Sequence, residues 1–89
     1  MSKVYCVFER ECYGVSSLFK IAKDENTANR VIEERIQHYI DYGNLLNLNP
    51  ITCESLAGHK CVIHHYSEND IIVKEVYFKE QDVIENEGV

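Results

Sequence analysis

Cys53, His59, Cys61, His64 and His65 are the residues of this 89-residue chain that come nearest, by type and spacing, to a reactive or metal-binding set. Neutral imidazole and thiolate are good zinc ligands, and on an extended strand His59, Cys61 and His65 share one face. The spacing argues against a structural zinc site. Such sites take close ligand pairs from tight knuckles of the Cys-x-x-Cys kind, whereas here Cys6 and Cys12 are separated by five residues and Cys53 and Cys61 by seven, with Ile63 between the histidines. A thiol enzyme would pair Cys61 with His65 as base and Glu54 as the orienting group, but nothing nearby shapes an oxyanion site, and a cysteine on a strand ordinarily packs as a small hydrophobe. Glu33 and Glu34 fall on the solvent side of a helix and Glu85 and Glu87 near the chain end, so neither pair has the apolar pocket that general acid–base work requires. Gly14, Gly43, Gly58 and Gly88 are scattered and open no phosphate-cradling loop. These residues support no catalytic set, no cofactor and no assigned metal. A metal- or small-ligand-binding domain using His59, Cys61 and His65 stands as the alternative to a protein-binding one.

The elements that position these residues follow from periodicity. A strand is expected from about residue 3 to 11, a turn at Cys12-Tyr13-Gly14, and a second strand from about 15 to 22. From Asp24 to Tyr42 the apolar residues Ala28, Val31, Ile32, Ile36, Tyr39 and Ile40 recur at three- and four-residue steps, which predicts one amphipathic helix. Asp24 is its expected N-cap, and Gly43 suits the left-handed position beyond its end. Residues 44–58 hold the single proline, Pro50, and four leucines; they read as an irregular connection with room for a short strand near Ile51–Cys53. A second hairpin is expected over 59–66 and 71–79 around Ser67–Asp70, followed by an acidic tail over 80–89. The chain is thus one domain over 1–89, of α+β class and order β-β-α-β-β, with an antiparallel four-stranded sheet and the helix on one face.

Both strands Val4–Phe8 and Ile71–Phe78 are apolar on their two faces. Taken strand by strand, Val4, Cys6, Phe8, Ile72, Val76 and Phe78 form one set and Tyr5, Val7, Ile71, Val73 and Tyr77 the other. One helix cannot cover both, so the second surface calls for the 44–58 segment, a second copy of the chain, or another protein.

Charge adds a direction. The formal net charge is −6, and from Tyr66 onward seven acids face two bases. Such an end repels phosphate backbones, so the expected partner is a protein with a basic surface and not a nucleic acid. The partner-binding residues expected on this reading are Glu68, Asp70, Glu80 and Asp82, with Tyr5, Tyr42, Tyr66, Val73 and Tyr77 as apolar anchors. No apolar run approaches the roughly 20 residues of a membrane span, and the N-terminus lacks a secretion signal, which points to a cytoplasmic protein with free thiols. As a short acidic domain without a catalytic set, the chain is similar in general character to small accessory proteins of bacteriophages and other mobile elements, some of which block host nucleases or CRISPR effectors. That resemblance implies a stoichiometric, non-enzymatic inhibitor, dimeric on the argument of its two-faced strands.

Overall fold

The helix begins where its capping residue dictates. Asp24 adopts an extended backbone and its carboxylate Oδ1 accepts from the Thr27 amide at 2.7 Å, which satisfies one of the free donors of the first turn. In the computed structural model, which describes residues 2–11 and 14–83, the elements in chain order are β1 (Ser2–Glu11), β2 (Ser17–Ala22), α1 (Glu25–Leu45), β3 (Ile51–Glu54), β4 (Lys60–His65) and β5 (Ile71–Val83). Helix α1 runs past the expected end at Tyr42, and Gly43 lies within it. The left-handed position is taken by Asn47 (φ 56°), where the Asn47 amide bonds the Asn44 carbonyl at 3.2 Å and the Leu48 amide the Gly43 carbonyl at 2.8 Å. This pair of bonds is a Schellman ending. Gly43 is needed for space: a Cβ there would stand 2.9 Å from Nε2 of the buried His64 and 3.0 Å from Pro50.

The sheet has five antiparallel strands, not four, in the order β2-β1-β5-β4-β3. The added strand comes from the connection, where the β-branched Ile51 and Thr52 follow Pro50 and pair with Ile63 and Val62. Gly58 (φ 79°) closes the β3–β4 hairpin, with its amide on the Ser55 carbonyl at 2.9 Å. The connection therefore lies at the sheet edge instead of over its face. Leu48 is buried, while Leu45, Leu46 and Leu56 are exposed. Of the expected turn at 12–14, Cys12 and Tyr13 fall outside the described residues, as do 84–89. Glu80–Val83, expected as tail, extend β5 because β1 pairs with them.

Register corrects the two apolar sets. β1 and β5 pair Val7 with Phe78 and Phe8 with Tyr77, so even residues of one strand share a face with odd residues of the other. The helix side carries Tyr5, Val7, Val76 and Phe78, joined by Val62 and Ala22; with Ala28, Val31, Ile32 and Ile36 of α1 they form the core. Arg35 fixes the helix laterally, with Nε 2.8 Å and a terminal nitrogen 3.1 Å from the two oxygens of Glu9. Its guanidinium lies 4.5 Å from the ring of Phe19, the extra residue of a bulge between Leu18 and Lys20.

An alanine at position 43 would ordinarily raise helix stability. Here Gly43→Ala is expected to lower it by about 1–3 kcal/mol, through overpacking against His64 and Pro50, measured as a lower urea midpoint with unchanged slope.

Candidate interaction surface

The face opposite α1 collects Val4, Cys6, Phe8 and Arg10 of β1, Ile71, Val73, Glu75 and Tyr77 of β5, Cys61, Ile63 and His65 of β4, Ile51 and Cys53 of β3, and Leu18 and Ile21 of β2. Among the described residues α1 is the one element packed on the sheet, and it lies on the other side. Ile21, Ile51 and Ile71 are 58%, 52% and 49% exposed, and Val4, Cys6, Phe8, Ile63 and Val73 are half-buried. The ionic side chains on it are Arg10, Glu75 and Lys79, with His59 and His65 beside them.

At its centre sits a charge. Glu75 is only 5% exposed; one carboxylate oxygen takes the Arg10 Nε and the other meets the His59 Nδ1. Burial pushes the Glu75 pKa up, but the hydrogen bonds from His59 and Arg10 outweigh it and leave the group below the usual carboxylate range. His59 also stacks on Tyr77 with centroids 4.2 Å apart, and Tyr77 stacks in turn on Phe8 at 5.6 Å. The Tyr77 hydroxyl meets Ser16 Oγ at 2.5 Å. A row of three rings thus crosses β1 and β5 and shields the carboxylate from above. Among the described residues no side-chain hydroxyl or thiol is hydrogen-bonded to the His59 ring, whose partner is the Glu75 carboxylate.

The residues expected to bind a partner are distributed over several surfaces. Val73 and Tyr77 lie on the open face, Tyr77 largely covered by its neighbours. Tyr5 lies on the helix side, edge-on to Phe78 with its hydroxyl 3.4 Å from Glu80. Tyr42 is half-exposed on the last turns of α1, 6.2 Å from the His64 ring, and Tyr66 opens the β4–β5 turn. Glu68 and Asp70 belong to that turn, where the Asp70 amide donates to Ser67 Oγ at 3.1 Å. Glu80 and Asp82 stand about 30 Å away along β5, on its helix side, with Glu80 3.3 Å from Lys3 Nζ. The four acids therefore form two separate groups.

His59, Cys61 and His65 share the open face as expected, but among the described residues no group of three or more His, Cys, Asp or Glu side chains is placed to hold an ion. Cys61 is buried opposite Cys53, and desolvation, assisted by the neighbouring thiol, raises its pKa to about 11. His64 turns to the helix side and is fully buried, its Nε2 2.9 Å from the Tyr39 carbonyl and its Nδ1 without a hydrogen-bond partner among the described residues. Arg10, His59 and Glu75 went unread as a unit because 65 residues separate Arg10 from Glu75; only the apolar–charged alternation of Glu75 amid Val73 and Tyr77 hinted at it. No described helix is long and apolar enough to cross a membrane. Comparison with known proteins returns no matching family model, no similar curated protein and no similar solved structure.

Two outcomes follow from the titrating groups. A carboxylate whose pKa is lowered on folding stabilises the fold above its unfolded pKa, near 4.5, and loses that contribution as pH falls through the folded value. Glu75→Gln should cost about 1–3 kcal/mol at pH 7 in denaturant titrations, and the gap to the parent protein should close below pH 4. Equal pH profiles for the two would remove the ionic role. At pH 7.5 Cys61 should hold roughly two orders of magnitude less thiolate than an ordinary cysteine, so iodoacetamide should label the exposed Cys53 well before Cys61 in peptide mass mapping.

Proposed function

We propose that this chain is a non-enzymatic protein-binding module whose docking surface is the open face of the sheet. The observation that supports it most is a sheet face with no element over it among the described residues, on which Val73, Ile63 and Ile51 lie in register on one side of the Arg10–Glu75 pair and Phe8, Tyr77, Leu18 and Ile21 on the other. Exposed apolar side chains gathered on one uncovered face around an internally paired charge are characteristic of interaction sites. The Arg10–Glu75–His59 group fits the same reading: it is already neutralised internally, so a partner can cover it without meeting an unpaired charge.

The phosphate-mimicking version of this function would need Glu68, Asp70, Glu80 and Asp82 in one strip. Their division between the two ends of β5, with Glu80 paired to Lys3, favours docking through apolar contact over occupation of a basic nucleic-acid groove.

A photoreactive residue placed at Ile51 or Ile71 tests the proposal in cells of the source, with Glu34 on the solvent side of α1 as the reference position. Covalent adducts to a protein, whether another chain or a second copy, are expected from the two sheet positions and not from Glu34. Adducts at equal yield from all three, or from Glu34 alone, would defeat it. Ile51→Lys with Ile71→Lys, both at exposed sites, should leave the melting temperature within about 2–4 °C and abolish the adducts formed at a third open-face position such as Ile21.

A further inference from the structure

The sheet is staggered, and the stagger leaves an edge in its middle. β4 pairs with β5 only from Ile71 to Val76, whereas β1 pairs with β5 from Lys74 to Val83. From Phe78 to Val83 no described strand lies on the β4 side of β5, and alternate backbone N–H and C=O groups point outward there. The two outer edges of the sheet carry the usual defences against pairing. β3 is four residues long, and β2 is broken by the Phe19 bulge and carries Lys20. Phe78–Val83 carries charge at Lys79, Glu80 and Asp82 but is neither short nor distorted: its ladder to β1 runs without a bulge or a proline.

We infer that this inner edge of β5 binds an extended peptide by strand addition, with an apolar side chain beside Phe78 and basic side chains two and four residues away, opposite Glu80 and Asp82. A notch of about 270 Å³ opens beside the edge, lined by Asn29 and Ile32 of α1, His59, Lys60 and Phe78. It is below the range of pockets for drug-sized ligands and suits a single apolar side chain. Phe78, Glu80 and Asp82 share the helix side, so an added strand would meet one apolar and two acidic positions at two-residue steps, its base at Glu80 competing with the exposed, solvent-screened Lys3 at 3.3 Å. The surface lies apart from the open face, and neither proposal depends on the other.

A second copy of the chain is a poor occupant. Two-fold antiparallel pairing sets residues of the same face opposite one another, so partner positions must both be odd or both be even. Every such register that uses three or more residues of this edge opposes Lys79 to Lys79, Glu80 to Glu80, Glu80 to Asp82, or Asp82 to Asp82. Like charges directly opposed destabilise the pair.

The probe is a fluorescein-labelled peptide of pattern Leu-Thr-Lys-Thr-Lys-Thr, in both chain directions, with a glutamate-for-lysine version as control, titrated against the full chain. Anisotropy should report saturable binding of one basic peptide that weakens with salt, and amide shifts in NMR spectra should concentrate on Phe78–Val83. Glu80→Lys combined with Asp82→Lys should weaken that binding at least tenfold and admit the acidic peptide; both residues are exposed, and circular dichroism checks that the variant folds. Should that variant fail to fold, the salt dependence and the acidic control on the parent protein still decide. Absence of binding in both directions, equal binding of acidic and basic peptides, amide shifts on the open face, or self-association through these same amides would each overturn the proposal.

Discussion

The ladder between the first and last strands governs the rest of the molecule. Ten consecutive residue pairs, from Ser2–Val83 to Glu11–Lys74, place the N-terminal strand inside the sheet beside the central β5, and every other element is hung on one side or the other of that pair. Its register is held by charge as well as by pattern. Lys74 Nζ lies 2.7 Å from Glu11, Arg10 meets Glu75 directly across, and Lys3 reaches Glu80 at the far end. A slip by one residue would send Glu75 to the helix side and Val76 to the open one; a slip by two would part Arg10 from Glu75 and leave a buried carboxylate with only His59. The register that survives is the one that satisfies both the core and the buried charge.

That choice explains why the open face is neither a bare apolar surface nor a solvated polar one. A carboxylate under a row of aromatic rings carries a desolvation penalty, offset here by two donors held at fixed positions on neighbouring elements. The rings of Phe8, Tyr77 and His59 provide the shielding that a second layer of structure would otherwise supply, so the middle of the face is dry while its margins at Ile21, Ile51 and Ile71 remain wet. Burial energy is left unrealised at those margins, at up to about 1.5–3 kcal/mol for each fully buried aliphatic side chain, and this is the physical basis for expecting a covering partner.

Local signals were legible in the sequence, and pairings between distant segments were not. The spacing of Ala28, Val31, Ile32 and Ile36 places α1 with its correct buried stripe, and Asp24 marks its start, because both depend on residues within a few positions of each other. The helix end was read at Gly43 because glycine is the usual left-handed residue, but packing against His64 made that glycine a space-saving one and Asn47 took the left-handed role. The β4–β5 hairpin appears around Ser67–Asp70, where turn residues and alternation predict it, and β1 and β2 pair as expected, with β2 beginning at Ser17. The parity of β1 against β5 could not be read, since a period of two assigns faces within a strand and is silent between strands. β3 was legible only as a possibility: four residues of ITCE have strand propensity, and their pairing with β4 decides the outcome. The same limit hid the Arg10–Glu75–His59 group, which exists only once three distant segments are in register.

One residue links the two surfaces. His59 lies just before β4, after the turn that Gly58 closes; had the β4–β5 ladder continued one step, His59 would stand opposite Tyr77 as an ordinary strand pair. Instead its ring lies flat on Tyr77 and bonds Glu75, and the ladder stops at Lys60–Val76. The stacking covers the carboxylate on the open face, and the end of β4 leaves the edge exposed from Phe78 onward, with His59 among the residues that line the notch. The two surfaces meet at the start of β4: the Ser55–Gly58 turn ends the strand there, which leaves β5 unpaired beyond it, and His59, not drawn into the ladder, is free to cover Glu75.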